Sequence, residues 1–116
     1  MMVEKRNLKR RAFSYYMQAV NNTTQQAVGY LSDISPRGFR LDCKKQIAPD
    51  QQMELRLDLT GDVANKAFMV LMARSKWCKS DELDPFVYNI GFEIVDIAPD
   101  DAAIFKRIVE KYGTGQ

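Results

Sequence analysis

Two short motifs about two dozen residues apart concentrate the groups that could do chemistry. Arg6-Asn7-Leu8-Lys9-Arg10 spells R-x-x-x-R, and Asp33-Ile34-Ser35-Pro36-Arg37-Gly38 spells D-x-S-x-x-G. The first carries two guanidinium groups, which are planar, permanently charged and able to fork onto phosphate oxygens or onto guanine O6 and N7. The second carries a carboxylate, a hydroxyl and a glycine. A carboxylate can accept hydrogen bonds from the N1–H and N2–H₂ edge of guanine. Together these are the groups that would hold a guanine nucleotide by its phosphates and base edges. Each motif alone is a weak signal. Basic residues cluster by chance, Pro36-Arg37-Gly38 could be a turn with glycine at positive φ, and Asp33 and Ser35 could cap that turn.

The charge distribution adds to the first motif. The chain has 17 basic and 15 acidic residues and a net charge of +2. Lys5, Arg6, Lys9, Arg10 and Arg11 lie in the first eleven positions against Glu4 alone, so the rest of the chain is net acidic. Positive charge confined to one arm points to an anionic partner for that arm. The plainer alternative is a solvated tail.

The elements between and after the motifs read mostly as strands. At 116 residues the chain is sized for one domain, and its 46% hydrophobic and 28% charged content is that of a soluble globular protein. Arg11 to Val20 alternates loosely, with Phe13, Tyr15, Met17 and Ala19 on one side. Gln26 to Ile34 and Gly38 to Cys43 read as the next two strands, with the Asp33–Gly38 turn between them. Met53, Leu55, Leu57 and Leu59 alternate with Glu54, Arg56 and Asp58, the clearest period-two signal in the chain. Ala67 to Trp77 and Phe86 to Asp96 complete the set. By the usual burial of its residue type, Trp77 is expected in the core rather than as a ligand platform. Pro99 then opens a helix whose Ile104, Phe105, Ile108, Val109 and Tyr112 form one apolar stripe, with Asp100 and Asp101 in the first turn. The stripe is expected to close an opening of the sheet. The predicted fold is mainly β: a six- to seven-stranded antiparallel barrel with a C-terminal helix, since closure removes exposed strand edges. Residues 1–10 form the arm, 11–96 the barrel and 99–112 the helix of a single domain spanning 1–116.

Several function classes are disfavoured. The chain has no histidine, no G-x-x-x-x-G-K loop and no convincing nucleophile–base pair, so no catalytic residue is assigned. Two cysteines, Cys43 and Cys78, cannot build a typical zinc site, so no metal or cofactor is expected. They read as reduced thiols of a cytoplasmic protein. No secretory leader or membrane-length apolar run is present.

The motifs in their order resemble the PilZ domain, the bacterial receptor module for cyclic di-GMP. The resemblance rests on Glu4 to Arg10 before a strand, and on Gly29-Tyr30-Leu31-Ser32-Asp33-Ile34-Ser35-Pro36-Arg37-Gly38-Phe39-Arg40-Leu41. It rests further on Ala73-Arg74-Ser75-Lys76-Trp77, and on Asn89-Ile90-Gly91-Phe92-Glu93-Ile94-Val95-Asp96 with Pro99-Asp100-Asp101 after it. It covers nearly the whole chain and implies a stand-alone PilZ-like split barrel. Ala98 departs from the pattern, standing where a Ser or Thr helix cap would be expected. By resemblance Arg6 and Arg10 clamp cyclic di-GMP, Asp33 reads guanine, Ser35 donates to base or phosphate, and Gly38 keeps the backbone close to the ligand. Lys5, Arg37, Arg40 and Arg74 are secondary candidates. The charge of Lys5 beside Arg6 would favour two stacked ligand molecules over one. The implied activity is a switch: ligand pins the arm and alters the surface offered to an effector protein in motility, biofilm formation or other surface behaviour. No nucleic acid polymer or membrane is an expected partner, and a homodimer is compatible with the chain. Two other readings stay open. One is a PilZ-like interaction module that binds no nucleotide. The other is a small barrel binding single-stranded nucleic acid through the arm and Phe13, Tyr15 or Tyr16, against which the acidic remainder of the chain argues.

Overall fold

The structure, a computed structural model, describes residues 17–59 and 64–112. Among the described residues six strands, β1 (Gln18–Asn21), β2 (Ala27–Ser35), β3 (Gly38–Cys43), β4 (Gln52–Asp58), β5 (Phe68–Ser80) and β6 (Tyr88–Ile97), precede a helix, α1 (Pro99–Tyr112). Every pairing is antiparallel, and the order β1-β2-β3-β6-β5-β4 closes on itself through β1 and β4. The mainly β barrel expected from the alternation is therefore present, closed by six strands, with the C-terminal helix where the period changes. Residues 11–16 of the first expected strand lie outside the described residues.

Period-two alternation builds the interior. Leu55 and Leu57 of β4, Met69, Leu71 and Ala73 of β5, Phe39, Leu41 and Cys43 of β3, and Ile90 and Phe92 of β6 are all buried. The α1 stripe joins this core through Ile104, Phe105 and Ile108. Phe105 meets the Phe39 ring edge-on at 6.5 Å, and Phe39 stacks on Phe92 at 5.5 Å. Aromatic pairs at such separations add about 0.5–1.5 kcal/mol beyond the area they bury. Asp101 fixes the helix start in a way the dipole argument misses. Its Oδ2 accepts the backbone N–H of Val70 in β5 at 3.3 Å, and its Oδ1 lies 2.6 Å from the Lys66 ammonium. Buried Ser75 donates to the Ala48 carbonyl at 2.7 Å and accepts from Gln51 N–H at 2.9 Å, holding the β3–β4 loop against β5.

Cys43 and Cys78 are free thiols. Burial first, then the Asp42 carboxylate and Cys78, push the Cys43 thiol up from 9.0 to about 12. The packed form is the neutral thiol. Its contribution to stability is full below pH 9 and is lost as pH rises toward 12, because the unfolded chain releases that proton first. Urea unfolding at pH 8 and pH 10 is expected to show a fall in stability that is smaller in a Cys43→Ala variant. An equal fall in both proteins would assign the alkaline loss to other groups.

Candidate functional site

Two β-bulges decide which side chains reach the outer face of the barrel. In β2, Leu31 pairs with Leu41 but Asp33 pairs with Arg40, so Ser32 is the extra residue. In β5, Ser75 pairs with Phe92 but Trp77 pairs with Gly91, so Lys76 is extra. An inserted residue shifts the strand by one and reverses the facing of everything beyond it. Leu31 and Ser75 are buried in the barrel, whereas Asp33 and Trp77, two residues further along, turn outward.

The register then aligns these residues across four strands. Asp33 of β2, Arg40 of β3, Gly91 of β6 and Trp77 of β5 form one cross-strand row. Ser35, Gly38, Glu93 and Arg74 form the next row on the same face. At about 4.8 Å between neighbouring strands, each row spans roughly 14 Å. A cleft of about 290 Å³ lies over them, lined by Asp33, Ser35, Arg37, Gly38, Arg40 and Trp77 among others.

Each polar group is held by local bonds. Ser32 Oγ donates to the Arg40 carbonyl at 3.3 Å and accepts from Arg40 Nε at 3.1 Å, so the bulge anchors the guanidinium stem. Asp33 Oδ1 accepts the Ile34 N–H at 2.9 Å. Ser35 Oγ donates weakly to the Gly38 carbonyl at 3.4 Å, and the Ile94 N–H donates to the Arg37 carbonyl at 3.0 Å. The capping bonds foreseen as an alternative role for Asp33 and Ser35 are thus real, and they leave a carboxylate and a hydroxyl on the cleft lining. Arg37 stands exposed at the turn apex.

The two glycines make the floor. No glycine among the described residues has positive φ, so Gly38 is not required by turn conformation. A Cβ at Gly38 would overlap the Phe92 carbonyl oxygen, and one at Gly91 would enter the Trp77 indole. Gly38 therefore permits close approach of the turn to β6 inside the barrel wall. Gly91 lets the indole lie flat across the neighbouring strand.

The structure corrects the sequence reading at Trp77. The indole is not core but 41% exposed on the cleft, with Lys79 Nζ 5.5 Å from its ring centroid. Glu93 and Lys76 are the other site residues that sequence reasoning missed. Glu93 Oε1 lies 3.1 Å from Lys76 Nζ and 3.8 Å from Arg74 Nη1. Of the foreseen residues, Asp33, Ser35, Arg37, Gly38 and Arg40 gather on the cleft, and Arg74 reaches its edge through Glu93. Lys5, Arg6 and Arg10 lie outside the described residues. A larger groove of about 820 Å³ adjoins the cleft, sharing Arg37, Lys76 and Glu93 with it and running along Ile97, Phe105 and Val109 toward α1.

The small closed barrel thus gathers cations, two carboxylates and an aromatic plate on one outer face. The family model for the PilZ domain matches residues 4–111, nearly the whole chain, and the protein belongs to the PilZ domain family. PilZ domains are binding modules associated with cyclic di-GMP, not enzymes. No curated protein and no solved structure matches significantly. No helix among the described residues is long and apolar enough to cross a membrane.

Proposed function

We propose that this protein is a cyclic di-GMP receptor that couples ligand binding to contact with an effector protein. The observation that carries the reading is the double row on the outer face. It gathers Asp33, Ser35 and Arg40 beside the exposed Trp77, over a floor opened by two glycines. Asp33 reads the N1–H and N2–H₂ edge of a guanine, Arg37 and Arg40 attract the phosphates, and the Trp77 indole offers a stacking surface for a purine.

Arg6 and Arg10 complete the site in this reading. β1 enters the barrel beside β2, where the Leu31 N–H donates to the Met17 carbonyl at 2.9 Å, two residues from Asp33. Arg10 is seven positions before Met17 and within reach of the cleft, since that length of extended chain spans at most about 25 Å. Ligand held jointly by arm and cleft changes the rim of the adjoining groove, because Arg37, Lys76 and Glu93 border both cavities. That shared rim is the route by which an effector senses occupancy. The protein acts in the cytoplasm.

Isothermal titration with cyclic di-GMP tests the proposal, with cyclic di-AMP and GTP as controls beside an Arg6→Ala/Arg10→Ala variant. Selective binding at micromolar Kd or tighter, about −8 kcal/mol, is expected and is lost in the variant. Two ligand molecules per chain are expected from the charge of Lys5. A 1:1 stoichiometry would remove that assignment, and no binding by folded protein would favour the nucleotide-free interaction module.

Trp77 gives a second test in the same titration. Base–aromatic stacking is worth about 1–3 kcal/mol per base, so Trp77→Ala should weaken binding by roughly tenfold or more. As the chain's only tryptophan, Trp77 should also report occupancy through its fluorescence. An unchanged affinity in the variant would take the indole out of the site.

A further inference from the structure

The proposed site contains a carboxylate whose place is at odds with an anionic ligand. Glu93 pairs with Gly38 across the β3–β6 ladder, so it sits beside the turn that carries the second motif. It lines the cleft together with Arg37 and Lys76. Its Oε1 is shielded from solvent and faces two cations, Lys76 Nζ at 3.1 Å and Arg74 Nη1 at 3.8 Å. One carboxylate therefore neutralises much of the charge of two bases at the mouth of a site built for phosphate. Among the described residues, the cations Arg37, Arg40, Arg74 and Lys76 and the carboxylates Asp33 and Glu93 border this face, with Lys79 over the Trp77 ring. Asp33 is accounted for by base recognition, and Glu93 is not.

We infer that Glu93 sets the charge specificity of the cleft, limiting it to phosphodiester ligands with one negative charge per phosphate; the inference rests on the nucleotide-receptor reading above. The physical reason is local. A phosphodiester brings one charge, which the cations retain enough field to hold after sharing it with Glu93. A terminal phosphomonoester brings close to two charges at neutral pH, and its second charge meets the Glu93 carboxylate as a like charge. Opening one diester of a cyclic dinucleotide creates such a terminal phosphate. Glu93 thereby distinguishes a cyclic dinucleotide from its linear product while Asp33 distinguishes the base. Lys76 owes its position to the β5 bulge, so the same inserted residue that exposes Trp77 also brings the ammonium to Glu93.

The test compares full-length wild type with Glu93→Gln, which keeps the shape and removes the charge. Both are titrated with cyclic di-GMP and with linear diguanylate bearing a free 5′-phosphate, at low and high salt, with thermal melting to verify the fold. Loss of the carboxylate is expected to tighten the linear ligand by about tenfold and the cyclic ligand by about threefold at low salt. The cyclic-to-linear preference then falls by at least about threefold, and less so at high salt, where screening weakens the repulsion. Wild-type binding with an unchanged preference in Glu93→Gln overturns the inference alone. Weaker binding of the cyclic ligand in Glu93→Gln also overturns it, because Glu93 would then be a direct partner of the ligand. Absence of binding in both proteins overturns the inference together with the receptor reading.

Discussion

Replacing Asp33 with alanine is expected to weaken cyclic di-GMP binding by about 100-fold while leaving the barrel folded. The Asp33 carboxylate offers two acceptor oxygens, enough to take both N1–H and N2–H₂ from a guanine. Hydrogen bonds to a charged group contribute about 1.5–3 kcal/mol each, so two of them at the lower figure give roughly 3 kcal/mol, or about two decades in Kd. In the protein Asp33 also accepts the Ile34 N–H at 2.9 Å, and removing that bond costs stability of order 1 kcal/mol. Asp33→Asn separates the two effects. It keeps an oxygen for Ile34 but presents a donor where the base needs a second acceptor, so stability should be retained and affinity still fall by at least about tenfold. Titration calorimetry beside urea unfolding reads both quantities. Wild-type affinity in Asp33→Ala would confine Asp33 to turn capping.

Placing alanine at Gly38 is expected to damage the fold and the site together. The added Cβ would overlap the Phe92 carbonyl oxygen, which belongs to the barrel wall and cannot swing aside as a side chain can. Relief requires the Gly38–Glu93 end of the β3–β6 ladder to separate, at a cost of about 3 kcal/mol, the upper end for overpacking. The same displacement moves Ser35 and Arg37 relative to Asp33. Urea unfolding should show the lower stability, and titration at a temperature where the variant remains folded should show binding weakened well beyond tenfold. Near-native stability with binding lost would instead place the alanine methyl against the ligand. Gly91→Ala provides the contrast, because its methyl meets the Trp77 indole, a side chain with somewhere to go. It should cost less stability and act mainly by lifting the indole from the neighbouring strand.

Much of the architecture was legible because its signals are local. Leu55 and Leu57 alternate with Arg56 and Asp58, and that pattern places two leucines inside whatever sheet β4 joins. Ile104, Phe105 and Ile108 share one helical face and are buried together, as their spacing requires. The order of the motifs carried the family, which the match over residues 4–111 establishes. Asp33, Ser35 and Gly38 could be singled out because they lie within six residues of one another. Trp77, Gly91 and Glu93 could not be joined to them, since they come from two later strands and meet the motif only through pairing.

The facing of Asp33 and Trp77 is where local reading ends. Counting by twos from Leu31 or from Ser75 puts both residues inside the barrel, and the count is right until Ser32 and Lys76 are inserted. A bulge is a mismatch between two strands and has no signature in either strand alone. The same holds for Gly38, which is glycine because of the Phe92 carbonyl and not because of the turn's own backbone angles. The sequence by itself determined the described strands, the closing helix and the Asp33–Gly38 turn, because periodicity and motif spacing are properties of short stretches of chain. Only the tertiary structure decided that an indole, Gly91 and a glutamate complete the cleft, because barrel closure and strand register bring residues nearly sixty positions apart into one row.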